Sequence, residues 1–185
     1  MSKRNLYIIL AVVVVLALWL GGSYNSFVRL DQQVAGQWAQ VETQYQRRFD
    51  LIPNLVESVK GIFEQEKEVF GKLADARARY SGAKTVDEKA AAAGQVEGAL
   101  GRLLVVMENY PQLRSSESVQ TLMAQIEGTE NRVAVERGRY NEAVKQFNTR
   151  IRTFPSNFAA RLFGFGGKAF FEAVAEAEQA PKVQF

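Results

Sequence analysis

The residues that could do acid–base or metal chemistry are few in this chain, and their spacing argues against a catalytic site. Its 185 residues include no Cys and no His, which excludes disulfides, thiol chemistry, His-based triads and the usual zinc sites. Glu64, Glu66 and Glu68 form a dense group of carboxylates, but alternate residues of a helix point in different directions and do not converge. We therefore expect a protein that is not an enzyme and needs no cofactor or metal.

A charged cluster around Pro53 is the next candidate site. Arg47, Arg48 and Asp50 come shortly before Pro53 and Asn54. Paired Arg and Asp near a helix end are typical of a capping and ion-pair cluster, because a carboxylate is favoured at a helix N-terminus. Such a cluster would hold a reversal of the chain. The other interpretation is a hinge or a docking surface.

Two side-chain amides suggest a polar stripe on the last long helix. Asn141 and Asn148 are seven residues apart, so they lie on the same helical face. This placement predicts hydrogen bonds to a neighbouring helix that set the register, in preference to ligand binding. The glycine-rich residues 164–167 lack the strand–turn–helix setting of a phosphate loop.

The side chains above must be positioned by helices, and the first candidate helix begins with an uncharged apolar run, residues 6–20. With residues 21–24 it approaches the length that crosses a bilayer, and aromatic residues lie near both of its ends, as they do at membrane interfaces. We predict a membrane anchor over residues 1–24 that contacts the lipid bilayer. Its characteristic residues are Leu6, Tyr7, Val13, Leu16, Trp19 and Leu20.

The charges beside the anchor predict its orientation. Lys3 and Arg4 precede it, whereas Arg29 is the only basic residue between it and Arg47. The positive-inside bias places the N-terminus in the cytoplasm and the domain on the other side of the membrane, as a single-pass protein. The alternative is a cleaved signal peptide, for which a mature N-terminus near Tyr24 would be the evidence.

The net charge gives little support to a nucleic-acid partner. The chain carries +3 at pH 7, and Lys3 and Arg4 account for two of these charges, which leaves about +1 for the rest. Nucleic-acid binding needs a clustered positive surface, so we expect no nucleic-acid partner.

Residues 25–154 have helical periodicity and are predicted to form the bundle domain. Apolar residues recur every three or four positions in segments separated at Pro53, Gly82 and Pro111. If the chain reverses at Pro53, the all-α fold is an antiparallel four-helix bundle after a transmembrane helix. If Pro53 only kinks the first helix, the domain has three long helices.

The last two of these segments carry further signals. Thr85 and Glu88 predict a capping box at the start of the third segment. Gly94 and Gly98 lie on one face of it, which favours close approach of another helix, in this chain or in another copy. The final segment follows the 3.5-residue repeat of coiled coils and bundles.

The C-terminal tail, residues 155–185, is rich in Phe and Gly. Exposed apolar side chains usually mark contacts, so the tail is expected to pack on the bundle, form a subunit interface or touch the membrane surface. Four antiparallel helices would return the start of the tail to the bilayer, and three would leave it at the far end. The residues concerned are Phe154, Pro155, Asn157, Phe158, Leu162, Phe163 and Phe165.

Several long motifs resemble the LemA family of bacterial proteins. They are residues 47–56 (RRFDLIPNLV), 100–103 (LGRL), 128–135 (GTENRVAV, with Asn131 and Arg132), Tyr140-Asn141 with Asn148, and 154–157 (FPSN) continuing to Phe165. The resemblance covers nearly the whole chain. It implies a short membrane anchor and an antiparallel four-helix bundle, and it implies no catalytic mechanism.

The function predicted from these features is that of a membrane-anchored interaction scaffold in the bacterial envelope. It would form homo-oligomers or hold an envelope protein partner. The alternative is a membrane-surface-active protein that works through the aromatic residues 158–171.

Overall fold

The computed structural model describes residues 3–60, 67–110 and 116–171, and all regular secondary structure in these ranges is helical. The predicted all-α fold class is therefore confirmed for them. Glu64, Glu66, Pro111 and residues 172–185 lie outside the described residues. The helices are α1 (Lys3–Lys60), α2 (Lys67–Gly82), α3 (Val86–Glu108), α4 (Glu117–Arg152) and α5 (Ser156–Leu162).

Helix α1 continues through Pro53, so the predicted reversal of the chain at that residue is wrong. A proline inside a helix costs about 3 kcal/mol because it loses one backbone hydrogen bond and crowds the preceding turn. Pro53 lies on the exposed side of α1, whereas Ile52, Leu55 and Val59 are buried on the other side. Burying each such side chain stabilises the helix by about 1.5–3 kcal/mol, which outweighs the cost. The alternative, a helix that passes through Pro53, is correct as far as Lys60.

Helix α3 begins at the predicted capping box. The Thr85 hydroxyl accepts a hydrogen bond from the Glu88 amide at 3.2 Å, and the Glu88 carboxylate accepts one from the Thr85 amide at 3.2 Å. The Lys84 amide donates to the same carboxylate at 2.8 Å. These backbone donors, first Lys84 and then Thr85, hold the pKa of Glu88 below its usual value. The side chains of Thr85 and Glu88 therefore satisfy amides that the helix itself leaves unpaired.

The glycine stripe of α3 does not bring a second helix close at Gly98. A Cβ atom added at Gly98 or at Gly101 would meet nothing within 4 Å. Gly98 instead borders an open groove of about 360 Å³ between α2 and α3, where Arg79 Nη1 donates to Gln95 Oε1 at 3.3 Å. The expected close approach is therefore not found at Gly98 among the described residues, and it stays a prediction for Gly94 and for a second copy.

The described residues divide into two compact units, and α1 and α4 each contribute to both. The first unit contains residues 3–39 and 138–170. Within it, Trp38 contacts Tyr140 with ring centroids 5.4 Å apart, and Tyr24 contacts Phe163 at 5.1 Å. Higher residue numbers in α1 therefore pair with lower residue numbers in the later segment, so the two segments run antiparallel.

The second unit contains residues 40–60, 67–110, 116–137 and 171 of the described chain. Its α1 and α4 segments are also antiparallel, because Tyr45 contacts Arg137 while Arg48 contacts Thr129. Among its described residues, the core of this unit is mainly apolar, and Arg48 and Thr129 are buried in it as well. Its most deeply buried apolar side chains, none more than 1 % exposed, are Val41, Tyr45, Leu55, Val59, Leu73, Ala93, Val96, Leu103, Val119 and Val133.

Candidate functional site

The apolar run of α1 has no protein to pack against in the described chain. Its large side chains from Leu6 to Leu18 are between 48 % and 72 % exposed. A window of this helix is long and apolar enough to cross a membrane, with 6 % of it buried. Helix α3 also contains a segment long and apolar enough to cross a membrane, but 39 % of that segment is buried. Core helices of soluble domains have the same length and composition. An exposed apolar surface of this length marks a site of contact with lipid or protein.

A buried guanidinium is the main polar feature of the second unit. The Arg48 side chain is 0 % exposed, and its Nε donates to Thr129 Oγ1 at 3.2 Å. Its Nη2 lies 2.8 Å from Glu130 Oε2, and its Nη1 lies 3.5 Å from Glu97 Oε1. A buried charge is tolerated only when it is paired and hydrogen-bonded, and here α3 and α4 both supply partners to α1.

Glu97 connects this guanidinium to a second one. The Tyr45 hydroxyl donates to Glu97 Oε1 at 3.2 Å, and Arg137 Nη2 forms an ion pair with the same oxygen and donates to the Tyr45 hydroxyl. The Arg137 guanidinium also lies over the Phe171 ring, 4.4 Å from its centroid, which is a cation–π contact. One carboxylate is therefore shared by two arginines and a phenol.

These groups suit a structural role. Burial, and next the Glu97 carboxylate, raise the pKa of Tyr45 above its ordinary value, so the phenol keeps its proton at neutral pH and is not a base. Among the described residues, no three Asp or Glu side chains form a group that could hold a metal ion.

Two buried tyrosines of the second unit provide a matched test of this network. Tyr45 bonds to Glu97 and Arg137, whereas the Tyr80 hydroxyl is buried with no hydrogen-bond partner among the described residues. At pH 7 we expect Tyr45→Phe to lower the free energy of unfolding by about 1.5–3 kcal/mol, because its bonds involve charged groups. Tyr80→Phe is expected to be neutral or slightly stabilising. Urea denaturation of both variants measures the difference, and equal losses would contradict the bonding described.

The same variants have an expected pH dependence. Burial is the main cause that raises the pKa of Tyr45 and of Tyr80 above the ordinary 10.0. The folded chain thus retains protons that the unfolded chain releases, so stability is complete below about pH 10 and falls as the pH rises above it. We expect this alkaline loss to be smaller in Tyr45→Phe and in Tyr80→Phe than in the parent chain.

The residues predicted to cluster around Pro53 do not form one group in the structure. Arg47, Asp50, Pro53 and Asn54 are all exposed, and the Asp50 carboxylate accepts a hydrogen bond from Gln46 Nε2 at 2.9 Å. No chain reversal exists there for them to hold. Of the predicted residues in this region, only Arg48 enters the core.

Sequence reasoning missed the partners of Arg48, although one signal was present. Val41, Tyr45, Arg48, Ile52, Leu55 and Val59 follow one another in steps of four and three, which are the core positions of a helical bundle. A charged residue at such a position requires buried partners. The sequence does not identify these partners, because Glu97, Thr129 and Glu130 come from other helices.

The side-chain amide of Asn148 bonds to an extended segment, so its expected pairing with a neighbouring helix is wrong. Its Nδ2 donates to the Lys168 carbonyl at 2.8 Å, and its Oδ1 accepts from the Lys168 amide at 2.8 Å. The Lys168 ammonium also lies 2.7 Å from Asp31 Oδ1. Asn141 is half-buried, and Asn131 and Arg132 are exposed on α4.

Removal of the Asn148 amide is expected to release the segment after α5. Asn148→Ala leaves the backbone N–H and C=O of Lys168 without their partner, and such a loss costs about 1–3 kcal/mol. We expect faster proteolytic cleavage near Lys168, mapped by mass spectrometry. Asn131→Ala, on the exposed face of the same helix, is the control. Equal cleavage rates in the two variants would show that Asn148 does not hold the segment.

The glycine-rich residues after α5 end that helix and turn the chain back. Gly164 has φ +75°, a left-handed conformation that glycine adopts without strain. The Phe165 amide donates to the Ala160 carbonyl at 2.9 Å and the Gly164 amide donates to the Arg161 carbonyl at 3.3 Å. This is the Schellman motif. It directs Phe165 onto Phe27, with ring centroids 5.2 Å apart.

The aromatic segment lies beside the end of the apolar run. Phe163 and Phe165 contact Tyr24 with ring centroids 5.1 and 5.9 Å apart, and Tyr24 is four residues past Leu20. Of the two positions considered for the tail, the described part occupies the one near the apolar run of α1. The described part of the tail therefore packs on its own chain, which was the first of the three expectations for it.

The opposite side of this segment is apolar and uncovered. Phe154, Phe158 and Leu162 are 76 %, 60 % and 67 % exposed, whereas Ser156, Ala159 and Ala160 are buried. Phe154 and Phe158 contact each other with ring centroids 6.0 Å apart. We call Phe154, Phe158 and Leu162 the α5 apolar face. Pro155 is exposed after a cis peptide bond, and Asn157 is half-buried.

Comparison with known proteins agrees with these features. The magnetosome protein MamQ 2 of Paramagnetospirillum magneticum (strain ATCC 700264 / AMB-1) is 26 % identical, over 80 % of this chain and 64 % of that protein. Magnetosome protein MamQ of Magnetospirillum gryphiswaldense is 25 % identical over the same shares. Protein LemA of Metamycoplasma hominis is 23 % identical, over 82 % of this chain and 70 % of that protein.

The chain thus spans about 64 % of the length of the magnetosome relatives it matches. The model of the LemA family matches residues 37–185, which is most of the chain and includes Arg48, Glu97, Asn148 and the α5 apolar face. This chain belongs to the LemA family.

Proposed function

We propose that this protein is a scaffold held at the bacterial inner membrane by the start of α1. The observation that carries the proposal is the exposure of the apolar side chains from Leu6 to Leu18, each between 48 % and 72 %. Exposed apolar side chains are unfavourable in water and favourable in the hydrocarbon layer of a bilayer. In this proposal residues 1–24 are the anchor, the N-terminus is cytoplasmic and the helical domain is extracytoplasmic.

The helical domain would act by binding protein and not by catalysis. We propose that α1, α2, α3 and α4 form an antiparallel four-helix bundle, which the family resemblance implies and which does not need α1 to reverse at Pro53. The buried bonds of Arg48 to α3 and α4 support a rigid assembly of helices. A rigid domain of this kind suits the presentation of a contact surface.

A groove between α3 and α4 is the contact surface that we assign to the second unit. It has a volume of about 510 Å³ and is lined by Leu104, Met107, Val119 and Met123 among others. Leu104 is 38 % exposed and the adjacent Val105 is 62 % exposed. Methionine side chains adapt readily to an apolar partner. We propose that this groove receives a second copy of the chain, with an envelope protein as the alternative partner.

Cross-linking in intact membranes tests the scaffold. Because the chain has no Cys, Leu104→Cys introduces a single reactive position, and Val135→Cys, which is exposed on α4, is the matched control. We expect a covalent dimer, identified by mass spectrometry, from Leu104→Cys and much less from Val135→Cys. A single protein other than this chain at position 104 would favour the envelope partner. No cross-linked protein at position 104 would overturn the scaffold.

Labelling of intact cells tests the orientation. A membrane-impermeant maleimide is expected to label Arg47→Cys in spheroplasts and to label Lys3→Cys only after the membrane is opened. Both residues are exposed, so access across the membrane is the only intended difference. The reverse pattern would place the domain in the cytoplasm.

A further inference from the structure

We propose that the α5 apolar face, Phe154, Phe158 and Leu162, lies in the interface of the same bilayer that α1 crosses. This inference rests on the proposed membrane anchoring and adds a second contact with lipid. The ligand is a lipid surface with anionic headgroups. Helix α5 would hold the first unit against the membrane at the point where α1 leaves it.

The position of the face supports this contact. Leu162 is next to Phe163, whose ring contacts Tyr24 at 5.1 Å between centroids. Tyr24 lies four residues past Leu20, the end of the apolar run, which is about 6 Å along a helix. When the apolar run is in the hydrocarbon layer, this contact places the end of α5 near the headgroups.

The composition of the face also fits a membrane interface. Phe154 and Phe158 contact each other, and Leu162 is one helical turn further along α5 on the same side. All three are more than half exposed, while Ala159 and Ala160 on the other side are buried. Amphipathic helices with aromatic and Leu side chains on one face lie in the interface with that face toward the acyl chains.

The charges around the face select lipid over a second copy. Residues 143–171 contain Lys145, Arg150, Arg152, Arg161 and Lys168 and no acidic residue. The three arginines are exposed, whereas Lys168 pairs with Asp31 at 2.7 Å and Lys145 lies 3.6 Å from Glu142. Two copies joined through this face would bring like charges together. Anionic headgroups complement the exposed arginines.

The test uses the full-length chain in vesicles that contain nitroxide lipids. Single-Cys variants at Leu16, Phe158, Leu162 and Val135 each carry one fluorescent label, since the parent chain has no Cys. Vesicles of phosphatidylcholine alone are compared with vesicles containing phosphatidylglycerol. Quenching by nitroxides near the headgroup and deep in the acyl chains reports the depth of each label.

We expect headgroup-level nitroxides to quench labels at Phe158 and Leu162 at least twofold more than the label at Val135. This quenching should be stronger when phosphatidylglycerol is present. Equal quenching in the two vesicle types would overturn the role of the arginines. Labels at Phe158 and Leu162 that are quenched no more than Val135 would overturn the membrane contact. Energy transfer between two copies labelled at Phe158, without lipid quenching, would overturn it in favour of a second copy.

The label at Leu16 separates this inference from the anchoring on which it rests. Deep quenching at Leu16 together with none at Phe158 leaves the anchor in place and rejects the contact of α5. The absence of quenching at both positions rejects the anchor as well. A further variant, Phe154→Ser with the label at Leu162, is expected to reduce headgroup-level quenching at Leu162 without changing it at Leu16.

Discussion

Replacement of Val13 and Leu16 by arginine is expected to remove the protein from the membrane fraction. Each arginine at the centre of a membrane-spanning helix costs about 2.5–3.5 kcal/mol on insertion scales, so the pair costs about 5–7 kcal/mol. Both side chains are about half exposed in the protein itself, at 55 % and 52 %. The change should therefore affect the folded helical domain little. The measurement is the amount of protein in membranes washed with alkaline carbonate.

The double variant Val13→Leu with Leu16→Val is the control for this change. It preserves the apolar character and total size of the run, so it should remain in the membrane fraction like the parent. If the arginine variant also remained there at the parental level, α1 would not be the membrane anchor. A helical circular dichroism spectrum of the released protein would show that the domain is still folded.

Replacement of Arg48 by alanine is expected to cause the largest loss of stability among single changes in the second unit. The side chain is completely buried and bonds to Thr129, Glu97 and Glu130. Truncation leaves a cavity in the core and removes all of these bonds, and together these losses cost about 3–5 kcal/mol. At 2–4 °C for each kcal/mol in a chain of this size, the midpoint of thermal unfolding should fall by roughly 6–20 °C.

Arg47→Ala provides the matched control because Arg47 is exposed on the same turn of α1. Exposed substitutions usually change stability by less than about 0.5 kcal/mol, so its midpoint should move by less than about 2 °C. Arg48→Met keeps most of the volume and removes the charge, which separates lost packing from lost ion pairs. Equal midpoints for Arg47→Ala and Arg48→Ala would contradict the buried network.

Local patterns in the sequence predicted the helices well. Steps of three and four between apolar residues predicted helices at α3 and α4, and Thr85 with Glu88 predicted the start of α3. The predicted second segment began at Pro53, whereas α2 begins at Lys67. These signals act over a few residues, so they can be read without knowledge of the fold. The prediction of a reversal at Pro53 was wrong because it used only the local preference of proline. The burial of neighbouring α1 side chains in the core outweighs that preference.

Features that depend on distant partners could not be predicted. The groups that bond to Arg48 come from α3 and α4, and the group that bonds to Asn148 is the backbone of Lys168. A sequence shows that such side chains need partners, but pairing is decided by how the helices are arranged. The glycine at 164 illustrates the same limit, since its left-handed conformation serves the end of the short α5.

The shared carboxylate and paired guanidinium groups also discourage wrong alignments of the helices. If α4 slid along α1 by one turn, about 5.4 Å, the apolar side chains of the repeat could find new apolar neighbours at small cost. Arg48 could not, because Thr129 and Glu130 would move out of its reach. With only Glu97 of α3 left as its partner, the buried cation disfavours such a slipped arrangement. This polar group therefore favours one alignment of α1 and α4 that apolar contacts alone would leave ambiguous.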